Sequence, residues 1–515
     1  MIRRVGALLL SMILLFGTAL ADTAGLDWAA GGYLDGYGDV QFHMTADIAS
    51  LTPYGEGTID MMNALLDNLS VAARVNEAQT EVTFCVAGDP IVSLTEAQTE
   101  DGASLTTSLL PNRTLTSSQS ALDGFSGFEQ EESQFDFFAA IQQVETCYQE
   151  LTDAIKPYAE EKAASYTIKN VGASRWSRIA RLTPEQGAEL VPLVAKVLGC
   201  GMDQAFCDQL NQMELQKGFI VGLYQTKEGG DDLAVYIKGN ALFPDGAQRA
   251  ISYQWAFAVN DKGQRVDTYK FDMTKNKTPR DNRGISASCK RSTDDKALLV
   301  DSQSKAIIRD PETNIVTTTT LTCDLSGKDG AIKGSVSNAV RTAQGETGTT
   351  TTLTITPDLQ LVEADGAAAL TGSTHIEQTT GKTVHVSMDL LFDEEAADDF
   401  ITAAETGALF VVVDDRLPQS SLTQNLDWEP DEPEDYLVGN PPTGYTAYAV
   451  PEEETTVDLD TISADELAAL TDELSQRLAG HLLVAIAKLP EEATALIRDS
   501  LSESDYAAFL ELLAE

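Results

Sequence analysis

The stretch Ile251-Ser252-Tyr253-Gln254-Trp255-Ala256-Phe257-Ala258-Val259 decides how this chain folds. Ile251, Tyr253, Trp255, Phe257 and Val259 share one parity, and Ser252, Gln254, Ala256 and Ala258 share the other. Successive side chains leave a pleated strand on opposite faces, so a period of two marks a β-strand with one oily and one wet side. The run ends at Asp261-Lys262-Gly263, a turn signal. The same pattern repeats outward. Ile332, Val336 and Val340 alternate with Lys333, Ser337 and Arg341, and Gly229-Gly230, Asp245-Gly246, Asp329-Gly330 and Thr380-Gly381 punctuate the runs. Such pairs between alternating segments indicate hairpins, and alternation indicates antiparallel rather than parallel sheet. Thr317 to Thr320 and Thr349 to Thr352 suit a wet sheet face, since threonine combines strand propensity with tolerance of water. On the order of ten strands fit between Gly218 and Phe392, near the size at which open sheets curl or split. The expected class is α+β: a large curved antiparallel β-meander, half-barrel or barrel, with covering helices and a C-terminal helical segment.

The flanks supply those helices. Residues 22–215 read as an α+β domain. A strand runs from Val40 to Ile48, and a helix starts at Asp60 with Met61, Leu65, Leu66, Leu69 and Ala73 at helical spacing. Thr80 to Leu94 alternates around the turn Gly88-Asp89-Pro90, and Ala103 to Leu110 makes another strand. Gln134 to Lys162 reads as a long helix carrying Phe138, Ile141, Val144, Tyr148, Leu151 and Ile155, ended or kinked by Pro157. Thr183 can cap a helix whose first turn holds Pro184. The meander domain is placed at 216–413, with a short helix from Glu394 to Glu405 and a strand from Leu409 to Val413. Residues 414–460 form an acidic, proline-rich linker; no Lys or Arg lies between Arg416 and Arg477. Residues 461–515 form the helical segment. Ser463 and Glu466 have capping-box spacing, and Leu467, Leu470, Leu474, Leu478 and Leu482 form one stripe. So short a segment is expected to dock on another domain or to pair two chains into a homo-oligomer.

The chain opens with Met1-Ile2-Arg3-Arg4, an apolar run from Val5 to Phe16, and Gly17-Thr18-Ala19-Leu20-Ala21. This three-part pattern predicts a signal peptide of residues 1–21, cleaved near Ala21, and a secreted or periplasmic protein. No later segment has the length and apolarity of a membrane span. Of 515 residues 43% are hydrophobic, enough for sizeable cores, while the formal net charge of −45 repels nucleic acids and anionic lipid surfaces. The six cysteines, Cys85, Cys147, Cys200, Cys207, Cys289 and Cys323, allow disulfides in an exported chain. Cys200 and Cys207 are close enough for a local bridge; the alternative is that some are buried thiols.

Catalytic motifs are not found. Gly124-Phe125-Ser126-Gly127 lacks the spacing of a nucleophile elbow. Gly381-Lys382-Thr383 has Ile376 where a phosphate-binding loop starts with glycine. Asp231-Asp232 and Asp414-Asp415 read as charged turn residues. No catalytic residue and no required cofactor is assigned. A three-residue loop Thr379-Thr380-Gly381 would set His375 opposite His385, with Glu377 on the same face, and two imidazoles with a carboxylate could hold a divalent, zinc-like ion. The plainer alternative is polar residues on a wet sheet face. Tyr253, Trp255 and Phe257 line either a ligand groove or the core.

Lys169-Asn170-Val171-Gly172-Ala173-Ser174-Arg175, Trp255-Ala256-Phe257, Pro279-Arg280-Asp281-Asn282 and the threonine-rich hairpins together resemble a set of uncharacterised, secreted, β-rich proteins of Gram-positive bacteria. That resemblance implies no activity and no catalytic residues. In outline the expected fold is also similar to the half-barrels of bacterial lipoprotein carriers. The leading expectation is an exported non-enzymatic protein that binds an apolar small molecule, lipid or peptide, or plays a structural role in the envelope or outside the cell. The alternatives are a secreted hydrolase with an unrecognised site, and an assembly module pairing through the C-terminal helices.

Overall fold

The computed structural model describes residues 33, 37, 40–76, 79–99, 102–110, 112–117, 135, 137–162, 167–168, 172–173, 176–225, 233–260, 262–275, 278–293, 297–310, 313–345, 347–364, 367–393, 455–463, 465–471 and scattered positions from 473 to 495. The expected signal peptide, the helix at Glu394–Glu405, the strand at Leu409–Val413 and nearly all of the acidic linker lie outside the described residues.

One curved, unclosed antiparallel sheet dominates. Walking across it, the strands are Ala159–Lys162, Trp176–Leu182, Phe219–Gln225, Leu233–Leu242, Gln248–Val259, Arg265–Lys275, Thr278–Arg291, Ala297–Arg309, Val316–Lys328, Ala331–Gln344, Thr347–Ala364, Ala367–Thr380 and Thr383–Phe392. The walk then returns to the start of the chain: Val40–Leu51 pairs with Thr383–Phe392, followed by Leu69–Val75, Gln79–Val86, Asp89–Thr99, Gly102–Thr107 and Arg113–Ser117. Last comes Thr455–Asp458, parallel to Arg113–Ser117. The first part of the chain therefore flanks the meander on both sides, and Thr455–Asp458 adds the edge strand at one end. The position expected for a boundary, residue 215, lies within it, since Trp176–Leu182 pairs with Phe219–Gln225. Each end of the meander gains a neighbour, which hides ladder groups that an exposed edge would offer to other chains.

Two sets of helices cover the oily face. Helix α1, Glu56–Leu66, packs Met62 and Leu66 on Phe42, Met44, Ile48, Val71, Met388 and Leu390. Helix α2, Phe137–Ile155, buries Phe137, Ile141, Val144, Cys147, Leu151 and Ile155, an i, i+3/i+4 stripe. Helix α3, Pro184–Leu198, starts with a complete capping box between Thr183 and Gln186. Helix α4, Gln204–Asn211, is capped by Asp203, whose carboxylate accepts from the Phe206 amide at 2.7 Å. Helices α2 to α4 lie in one core with Val221, Val235, Ile237, Tyr253, Trp255, Tyr269 and Phe271. Burying each such large side chain contributes about 1.5–3 kcal/mol.

Two helices end earlier than the periodicity suggests. Helix α1 stops at Leu66, and Leu69 and Ala73 belong to the strand Leu69–Val75. Asp67 and Asn68 make the turn there, and Val71, Ala72 and Ala73 are buried by pairing on both sides. Helix α2 stops at Ile155, the residues around Pro157 turn, and Ala159–Lys162 forms the edge strand. In the C-terminal segment, Ser463 and Glu466 form the expected capping box. Leu470 and Leu474 pack on Leu105, Leu110 and Leu115, and Glu473 pairs with Arg113 at 2.6 Å. These residues dock on the chain's own sheet. No helix among the described residues is long and apolar enough to cross a membrane.

His43 makes the Val40–Leu51 region acid-sensitive. It is half-buried opposite Ala72, and its Nδ1 is shielded with no hydrogen-bond partner. Burial lowers its pKa below the ordinary value of 6.5, with Asp393 pulling weakly the other way. A base with a depressed folded pKa gives stability that is present above its unfolded value and is lost as the pH falls through the folded value. The chain should therefore lose stability on acidification, this residue's share staying below the one-proton limit of about 1.4 kcal/mol per pH unit. Urea midpoints of wild type and His43→Gln, followed from neutral pH down into the acetate range, test this; parallel curves would refute it.

Candidate functional site

The stripe Tyr253, Trp255 and Phe257 does not line an open groove. Tyr253 and Trp255 are 0% exposed beneath the helices. Trp255 meets Tyr148 of α2 edge-on at 6.5 Å between ring centroids, and Tyr253 meets Tyr269 at 5.3 Å. Phe257 lies under the Arg265 guanidinium, 4.2 Å from its ring centre. Over this part of the sheet the protein's own helices occupy the apolar face. The Tyr253 and Tyr269 hydroxyls and Trp255 Nε1 are buried with no hydrogen-bond partner, and burial pushes both phenols well above their usual range.

Beside this stripe sits a buried ion cluster that the sequence reading missed. Asp267 is 0% exposed, and its carboxylate accepts two hydrogen bonds from Arg265, each 2.9 Å. Arg265 also pairs with Glu145 of α2, so the guanidinium ties helix to sheet. Burial pushes the Asp267 carboxyl up, against the pull of Arg265. The signal was present: Arg265 and Asp267 share the parity of Tyr269, Phe271 and Met273 and must face the same side. Cys289 faces Asp267 across the strands, and burial together with that carboxylate raises its thiol to about 12. A thiol so hard to ionise is no nucleophile at neutral pH.

The histidines are placed differently from the expected pairing. His375 stands opposite Asp389, and its Nδ1 lies 2.7 Å from Asp389 Oδ1. Glu377 stands opposite Ser387. The turn is the two-residue Gly381-Lys382, with Thr380 opposite Thr383, and a bulge follows. His385 falls in that bulge and has no partner on the Ala367–Thr380 strand; its carbonyl accepts from the Thr52 amide at 2.7 Å. An odd residue had to be absorbed somewhere to keep both apolar sets on one face. The strand absorbs it, not the loop. Among the described residues no group of three or more His, Cys, Asp or Glu side chains converges as a metal site.

None of the six cysteines is bonded to another. The local bridge between Cys200 and Cys207 is not formed. Cys207 Sγ instead reaches the carbonyls of Gly199 at 3.5 Å and Met202 at 3.8 Å.

A half-buried strip lies between the two helix-packed regions, with Leu321 at its margin packed against the α2–α4 core. Inner-face residues Leu321, Asn338 and Leu353 form one cross-strand row, and Thr319, Val340 and Thr351 form the next. Every side chain from Val316 to Thr322 is half-exposed, on both parities. Leu353 is 37% exposed, and Asn338 Oδ1 is shielded with no hydrogen-bond partner. On the opposite face the matching rows are Thr320, Ala339 and Thr352, then Thr322, Ser337 and Thr354. The strip is thus amphipathic across the sheet, with leucine and valine on the side that elsewhere carries helices. The four threonines in sequence at 317–320 were its legible sign, because a covered strand would alternate.

No protein-family model, no curated protein and no solved structure matches the chain.

Proposed function

We propose that this chain is an exported, non-enzymatic binding protein that holds an apolar or amphipathic molecule, such as a lipid chain, against the open strip of its curved sheet. The observation that carries the reading is the half-exposed inner-face pair of rows, Leu321, Asn338, Leu353 and Thr319, Val340, Thr351. Elsewhere on the inner face, helices α1 to α4 pack on the apolar residues. An acyl chain laid along the strip would cover Leu321, Val340 and Leu353. Each methylene so covered contributes about 0.8 kcal/mol. Export rests on the pattern of residues 1–21.

Organic extraction of the purified full chain, followed by mass spectrometry, should recover a bound amphiphile. The double variant Leu321→Glu, Leu353→Glu should bind a fluorescent fatty acid at least about tenfold more weakly, because a carboxylate placed on the strip must be desolvated. An empty wild-type extract together with equal probe binding by both proteins would end the proposal.

A further inference from the structure

Helix α2 and the turn after helix α3 are fastened together on both sides of a pair of sulfurs. Gln143 Oε1 accepts a hydrogen bond from the Gly201 amide at 2.8 Å. Glu150 pairs with Lys196 at 2.9 Å. Between them, Cys147 lies on the same face of α2, four residues after Gln143 and three before Glu150. Its thiol neighbours that of Cys200, which immediately precedes Gly201, follows Lys196 by four residues and donates its own proton to the Lys196 carbonyl at 3.2 Å. Both cysteines are 2% exposed. The two backbone segments are thus held in register above and below the sulfurs.

We propose that Cys147 and Cys200 form a disulfide that staples helix α2 to the end of helix α3 when the chain folds under oxidising conditions. The two thiols divide the work of exchange. The neighbouring Cys200 and the Lys196 ammonium lower the Cys147 thiol, against burial. Cys200 is pushed up by the adjacent Cys147 sulfur and by burial. Cys147 is therefore the attacking thiolate. It displaces one thiol from a small dissolved disulfide such as oxidised glutathione. Cys200 then gives up its proton and attacks the Cys147 sulfur, displacing the second thiol. Two cysteine S–H bonds are lost and one S–S bond forms; the reagent's S–S bond is reduced to two thiols, which carry the two protons. Because both sulfurs are shielded in the folded chain, exchange occurs as α2 docks or transiently opens.

Three of the other four cysteines, Cys207, Cys289 and Cys323, are positioned to stay reduced. Cys289 and Cys323 both stand opposite Ser302, on either side of the strand Ala297–Arg309. Two strand spacings, roughly 9.5 Å, exceed the reach of a disulfide. Cys207 Sγ is turned toward backbone carbonyls.

The full chain, unfolded with reductant and refolded with oxidised and reduced glutathione, is denatured in guanidinium, treated there with iodoacetamide without further reduction, and then digested. The expected result is a linked peptide pair containing Cys147 and Cys200, lighter by two hydrogens, with Cys207, Cys289 and Cys323 alkylated. The oxidised chain should melt several degrees above the reduced one, and this difference should vanish in both Cys147→Ala and Cys200→Ala. Alkylation of Cys147 and Cys200 after oxidation, or a link from either to Cys207, overturns the proposal.

Discussion

Replacing Trp255 with alanine is expected to lower the stability of the full chain by about 3–5 kcal/mol, the range for emptying a large aromatic site in a packed core. Trp255 is 0% exposed and sits between the sheet and helix α2, touching Tyr148 and Phe257. Helix and strand are both fixed by their own hydrogen bonds, so the site collapses only in part and a cavity remains. The measurement is the urea midpoint of wild type and variant, with the slope checked for a common unfolding transition. The result also decides what the aromatic stripe is for. A residue lining a ligand groove would, on truncation, change ligand affinity and leave the midpoint nearly in place. An unchanged midpoint would therefore return Trp255 to the list of binding residues and contradict the packing described above.

The second large effect is expected at Arg265. Arg265→Met removes the guanidinium that donates two hydrogen bonds to Asp267, and it leaves that carboxylate buried. Breaking a buried pair from one side costs about 3–5 kcal/mol. The double variant Arg265→Met, Asp267→Leu should regain most of this, since removing both charges also removes both desolvation costs. The pH dependence has a definite sign. Burial already raises the Asp267 carboxyl, and loss of Arg265 raises it further. An acid with a raised folded pKa gives stability that is present below its unfolded value and is lost as the pH rises through the folded value. The single variant should accordingly be least impaired at mildly acid pH and most impaired near neutrality. A penalty independent of pH, or a double variant as weak as the single one, would show that Asp267 is solvated by another route.

Legibility in the sequence followed the range of the forces involved. The hairpins of the meander were readable because each depends on a period of two and on a turn within a few residues. Ile251 to Val259 and Ile332 to Val340 are such cases. The capping boxes at Thr183 and Ser463 were readable for the same reason, since donor and acceptor lie three residues apart. Register was less secure. The bulge at His385 moved that residue out of line with His375, although the hairpin itself was placed correctly, because one extra residue can be absorbed either in a loop or in a strand. Helical spacing at Leu69 and Ala73 misled because seven residues with small and branched side chains fit either period. The neighbours on both sides, Val40–Leu51 and Gln79–Val86, chose the strand.

The sequence by itself determined that the middle of this chain is antiparallel ribbon with an oily and a wet side, since alternation and turn chemistry are written residue by residue. Only the tertiary structure decided that Val40–Leu51 closes one end of that ribbon and Trp176–Leu182 the other, and that α1 to α4 cover its oily face while Leu321, Val340 and Leu353 stay half-exposed. Pairings between residues hundreds of positions apart depend on which surfaces are buried together, and no local period encodes that choice.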